Sequence, residues 1–122
     1  EAETELEGTS GKVTATKTGC QIAVALLGKS NWVTGKSMAS DAAYGLAAQL
    51  LGAKANLTAG AKSCPALTSA VTAADALLTS INFQGKGEYL GPKVKGAQLT
   101  TRNNAITLAD TLDKYNNGVL CP

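Results

Sequence analysis

A cysteine stands at each end of the most strongly patterned stretch of this chain, Cys64 and Cys121, and two helical repeats lie between them. Leu67, Val71, Ala74, Leu78 and Ile81 recur at alternating intervals of four and three, the apolar stripe of an amphipathic helix. A second stripe follows with Ala105, Leu108, Ala109, Leu112 and Tyr115. The two even share wording, Val71-Thr72-Ala73-Ala74-Asp75-Ala76-Leu77 against Ile106-Thr107-Leu108-Ala109-Asp110-Thr111-Leu112. Two such helices bury their stripes by packing antiparallel, which brings their outer ends together. A disulfide between Cys64 and Cys121 is the expected consequence. A closed loop of that size stabilises by about 4 kcal/mol in the chain-entropy model.

That pairing leaves Cys20 as a spare thiol. An odd cysteine count with no Cys-x-x-Cys pair and no histidine argues against zinc. One disulfide and one thiol fit an oxidising, extracellular compartment; three buried thiols in a reducing one are the alternative.

Upstream, Ser40 or Asp41 caps a helix running to about Ala55. Ala43, Leu46, Ala47, Leu50 and Leu51 form its wide apolar face. A second stripe of Asp41, Gly45, Gln49, Gly52 and Asn56 lies opposite. Each glycine there costs about 1 kcal/mol relative to alanine, so a neighbouring backbone is expected to come close. Pro65 suits the first turn of the next helix. Residues 84–96 form a long glycine- and lysine-rich loop, for which Tyr89 and Leu90 are the natural pins. The last helix is expected to start near Thr100 or Thr101 and to stop at Gly118.

The first third is less regular. Lys12 to Lys17 alternates and favours a short edge strand, and Cys20 to Leu27 reads as a short apolar helix, with a strand paired to 12–17 as the alternative. Trp32 is expected to plug the core beneath a loop. A start at Glu1-Ala2-Glu3, without a visible signal peptide, is read as that of a chain either already processed or engineered to begin there. Charge is unevenly placed. Glu1, Glu3, Glu5 and Glu7 fall in the first seven residues, whereas the rest carries eleven basic residues against five acidic ones. An acidic arm before a basic body can fold back on it or reach another copy.

Few chemistries fit these residues. Without histidine there is no Ser-His-Asp or Cys-His pair, so no enzyme is expected. Asp110 and Asp113 sit one turn apart, but exposed helix-surface aspartates are commoner than paired-carboxylate sites. Asp113-x-x-x-Asn117-Gly118 echoes a calcium loop that ends before its required glutamate, so no metal is expected. The Gly85/Gly87/Gly91 cluster lacks the ending of a phosphate loop, and no cofactor is expected. One arginine and five aromatic residues are too few for a nucleic-acid face. No apolar run reaches the roughly 18 residues of a membrane span. Asn56-Leu57-Thr58 is a glycosylation sequon, a pattern that also arises by chance.

The run Ala43-Tyr44-Gly45-Leu46-Ala47-Ala48-Gln49-Leu50-Leu51-Gly52-Ala53-Lys54-Ala55-Asn56 resembles a helical module of bacterial secreted surface proteins. So do Ala74-Asp75-Ala76-Leu77-Leu78 with Ile81, and the ending Leu112-Asp113-Lys114-Tyr115-Asn116-Asn117-Gly118-Val119-Leu120-Cys121. The resemblance covers roughly residues 36–122. The Gly-Tyr-Trp-Lys motif that many members carry upstream is absent here. What the resemblance implies is an extracellular location and a non-enzymatic role.

The expected fold is all-α, a small bundle of three main helices (about 41–55, 66–83 and 100–117) plus a short apolar element near 20–28. An extended arm (1–19) precedes the helical domain (20–122). The expected function is a structural or interaction module of a cell-surface or extracellular assembly, binding other copies or a larger surface protein. Self-association would use Glu1, Glu3, Glu5, Glu7, Lys12, Lys17, Lys86, Lys93 and Lys95. The alternative, a small-ligand or glycan-binding module, needs a pocket lined by Trp32, Tyr44 or Tyr89, and buried rings would count against it.

Overall fold

The computed structural model describes residues 19–121, so Glu1, Glu3, Glu5, Glu7, Lys12, Lys17 and the expected arm and edge strand lie outside the described residues. Four helices form among the described residues: α1 (Gly19–Leu27), α2 (Ala42–Thr58), α3 (Pro65–Ser80) and α4 (Ala97–Asn116). The only β pairing among the described residues is an isolated bridge between Ser30 and Ser37. The fold is the expected helical bundle, with residues 20–27 helical and Gly19 opening α1 rather than closing an arm.

Long-range bonds fix the helix directions. Arg102, near the start of α4, reaches the carbonyl of Ser40 just before α2. Asn116, the last residue of α4, reaches Gln49 and Asn56 towards the end of α2. Helices α2 and α4 therefore run parallel. Helix α3 runs against both, because its leading Cys64 is bonded to Cys121 beyond the end of α4. The Cα atoms of that disulfide are 5.7 Å apart across a sequence separation of 57. It closes the two helix ends as the stripe pattern requires.

Local chemistry sets the boundaries. Asp41 is the N-cap of α2, its side chain accepting from the Ala43 N–H. Pro65 occupies the first turn of α3. That helix stops at Ser80, short of the expected residue 83, because Asn82 adopts φ +54°, a left-handed conformation that asparagine tolerates. Helix α4 begins at Ala97, three residues before the expected Thr100. Thr101 does not cap it: the hydroxyl donates back to the Ala97 carbonyl inside the helix.

The apolar side chains form two clusters. The larger joins Leu46, Leu50 and Ala53 of α2, Leu67, Ala70 and Ala74 of α3, and Ala105, Leu112 and Tyr115 of α4, with Leu90 entering from the loop. On α3 the buried positions are Leu67, Ala70 and Ala74. Val71, Leu78 and Leu108, members of the expected stripes, are only half-buried. The smaller cluster holds Ile22, Leu26, Trp32, Met38 and Tyr44 between α1 and the start of α2. Gly85 closes it: at φ +78° a Cβ there would lie 2.7 Å from Trp32 Cδ1.

Candidate functional site

The densest polar arrangement lies where α2 and α4 begin and the 81–96 loop crosses them. Asp41 is its pivot, only 2% exposed. One carboxylate oxygen accepts from the Ala43 N–H at 2.9 Å and the Leu90 N–H at 3.0 Å. The other accepts from the Tyr89 N–H at 2.8 Å. A single carboxylate thus caps a helix and seats a loop, and the buried charge is matched by donors on both oxygens. Arg102 completes the junction by donating to the carbonyls of Ser40 at 3.0 Å and Leu90 at 2.6 Å.

Aromatic rings fill the space beneath the loop. Tyr44, Phe83 and Tyr89 pack together with centroids 4.8 to 6.0 Å apart. Their polar atoms all go to the loop backbone. Trp32 Nε1 donates to the Gln84 carbonyl at 2.7 Å, and the Tyr44 hydroxyl donates to the Gly87 carbonyl at 2.8 Å. The Tyr89 hydroxyl donates to the Lys86 carbonyl at 2.6 Å and accepts from the Gln84 N–H at 3.0 Å. Burial pushes the Tyr44 phenol above its ordinary range, and the neighbouring Tyr89 and Asp41 act in the same direction. Trp32 and Tyr44 are therefore core residues, and only half-buried Tyr89 reaches an open surface.

That surface is a cleft of about 810 Å³ between residues 36–41 and 88–98. Lys36, Lys93, Lys95, Glu88, Tyr89 and Gln98 stand on its walls. Two of the three loop lysines singled out in the sequence, Lys93 and Lys95, are brought together here. The third is not: Lys86 lies over the Trp32 ring, 5.6 Å from its centroid. Lys36 joins the cleft from a segment far away in sequence, and nothing local to it signals that placement.

No family model, curated protein or solved structure matches this chain. Its chemistry rests on its own geometry.

At the opposite end, the disulfide sits beside an amide cluster. The Asn116 side chain donates to the Gln49 carbonyl at 3.1 Å and Gln49 Oε1 at 2.8 Å, and accepts from Asn56 at 3.0 Å. Gly52 makes room for it, since a Cβ there would lie 3.1 Å from Asn116 Nδ2. The polar stripe on α2 thus meets a side chain of α4, where the sequence suggested a backbone. Asn56 Nδ2, the atom a glycan would occupy, is one of the donors in this cluster. A cavity of about 310 Å³ adjoins, lined by Lys62, Tyr115 and Cys121 among others. The Tyr115 hydroxyl is buried without a hydrogen-bond partner.

Asp110 and Asp113, weighed for catalysis, and Asp75 are each bonded to separate partners. Asp75 pairs with Lys54 at 2.9 Å, Asp110 with Lys114 at 3.4 Å, and Asp113 accepts from Asn117 and Gln49. Among the described residues no three His, Cys, Asp or Glu side chains gather as metal ligands would. No described helix is long and apolar enough to cross a membrane. Cys20 is an exposed free thiol on α1.

Proposed function

We propose that this chain is a non-catalytic structural module of an extracellular or cell-surface assembly, self-associating through its acidic N-terminal arm. The Cys64–Cys121 disulfide carries the reading. Such bonds persist in oxidising compartments, and this one ties the start of α3 to the chain beyond α4 at one end of the bundle. Support comes also from how the side chains are used. Asp41, Arg102, Trp32, Tyr44 and Tyr89 spend their polar atoms on backbone groups of the 81–96 loop, of the turn before α2 or of the first turn of α2. A glycan or small-ligand site has less support, because Trp32 and Tyr44 are inside the core.

Self-association is supported by charge. Four glutamates fall at alternate positions of the first seven residues, against a body with an excess of six positive charges. Light scattering after size exclusion tests the proposal. The intact chain should form oligomers at low ionic strength and dissociate at high salt, because exposed charges are screened beyond about 10 Å at 0.1 M. A chain lacking residues 1–11 should be monomeric throughout. An intact chain that stays monomeric at high concentration and low salt overturns the proposal.

A further inference from the structure

We infer that the cleft between residues 36–41 and 88–98 is the surface that receives the acidic arm of a second copy of this chain. The inference rests on the self-association reading and adds its receiving site. Lys36, Lys93 and Lys95 line the cleft, all exposed, and none has an ion-pair partner among the described residues. Two separate segments deliver them to one concavity, so the charge is concentrated by the fold.

The same walls also carry Glu88 and Asp41. Asp41 offers the cleft little, since its carboxylate is 2% exposed and takes three backbone N–H groups. Glu88 leaves a positive excess and makes the site selective for how carboxylates are spaced. The start of α4 acts in the same sense as the lysines: Gly96 provides no side-chain cap, and Gln98 of the first turn stands on the wall.

The arm has the matching pattern. Glu1, Glu3, Glu5 and Glu7 alternate, and in an extended peptide alternate residues point to one side about 7 Å apart. Ala2, Thr4 and Leu6 between them then point to the opposite side, away from the lysines. Charged groups across such a contact fix register and raise the association rate more than they raise affinity. A donor arm and a receiving cleft on different parts of the molecule form a heterologous contact, which builds rings or filaments.

A charge-exchange experiment on the full chain tests this. One variant reverses the cleft (Lys36→Glu, Lys93→Glu and Lys95→Glu); the other reverses the arm (Glu1→Lys, Glu3→Lys, Glu5→Lys and Glu7→Lys). Each alone should associate about tenfold more weakly than the parent at low salt, as expected for several exposed ion pairs lost together. An equimolar mixture of the two should regain association, because each arm then meets a cleft of opposite charge on the other chain. Lys114→Glu, which changes a lysine near the end of α4 and outside the cleft, should leave association unchanged. If the cleft-reversed variant assembles like the parent, the cleft is not the receiving surface and the arm reading survives. If the parent assembles and the mixture does not, docking between copies in this cleft is ruled out. A monomeric parent overturns the site together with the reading it rests on.

Discussion

The carboxylate of Asp41 accepts the backbone N–H of Leu90 at 3.0 Å, across 49 positions of sequence. That bond makes the start of α2 and the middle of the long loop one structural unit. It also explains why the loop is ordered despite having no secondary structure. Leu90 is 1% exposed in the main cluster while its N–H and carbonyl are taken by Asp41 and Arg102. Order in the loop is what gives the lysine cleft a fixed shape.

Replacing Asp41 tests this junction. Asp41→Ala removes the cap of α2 and leaves the Tyr89 and Leu90 N–H groups without their acceptor. The expected cost in urea unfolding is about 3 kcal/mol, from one lost cap and the stranded donors. Asp41→Asn should cost less, because one oxygen can still serve Ala43 and Leu90 while the amide faces the Tyr89 N–H. A loss below about 1 kcal/mol for Asp41→Ala would show that the carboxylate does not hold the loop.

Two glycines of α2 should respond differently to alanine. A Cβ at Gly45 meets nothing within 4 Å, so Gly45→Ala should stabilise by about 1 kcal/mol through helix propensity. A Cβ at Gly52 would lie 3.1 Å from Asn116 Nδ2, and Asn116 is held by Gln49 and Asn56. Gly52→Ala should therefore gain nothing or lose stability. Thermal unfolding of the pair gives the comparison, and equal gains would mean that Asn116 moves aside freely.

Core truncations on α3 should separate by burial rather than by side-chain type. Leu67 is fully buried, and Leu67→Ala should cost about 2–5 kcal/mol. Leu78, half-buried in the same helix, should cost about 1 kcal/mol when changed to alanine, since less surface leaves water in the fold. A larger loss at Leu78 than at Leu67 would place the wrong face inward.

Alkaline pH should expose the buried phenol. Tyr44 holds its proton above the ordinary tyrosine range, chiefly through burial. Below the unfolded value of about 10, both states are protonated and stability is intact. Above it the unfolded chain releases the proton first, so stability falls by about 1.4 kcal/mol per pH unit for this one group. Tyr44→Phe should lower stability at neutral pH by about 1 kcal/mol through loss of the bond to Gly87, yet flatten the alkaline slope. Urea midpoints at neutral and alkaline pH measure both effects; parallel slopes would assign the loss to other groups.

Periodicity and pairing chemistry determined most of the architecture. The stripes ending in Leu112 and Tyr115, the cap at Asp41, the proline at Pro65 and the two flanking cysteines specify the helices and their disulfide, because each acts within a few residues or through antiparallel geometry. Only tertiary packing decided which member of a stripe lies deepest. Ala70 and Ala74 are buried while Val71 and Leu78 are only half-buried, and a period of 3.6 cannot rank neighbours on one face. The cleft was likewise not legible in the sequence. Lys93 and Lys95 lie in one loop, but Lys36 joins them, and Lys86 leaves them for Trp32, through long-range bonds of Asp41 and Trp32. A lysine's charge is written in the sequence; which charges share a surface depends on how distant backbone groups are satisfied.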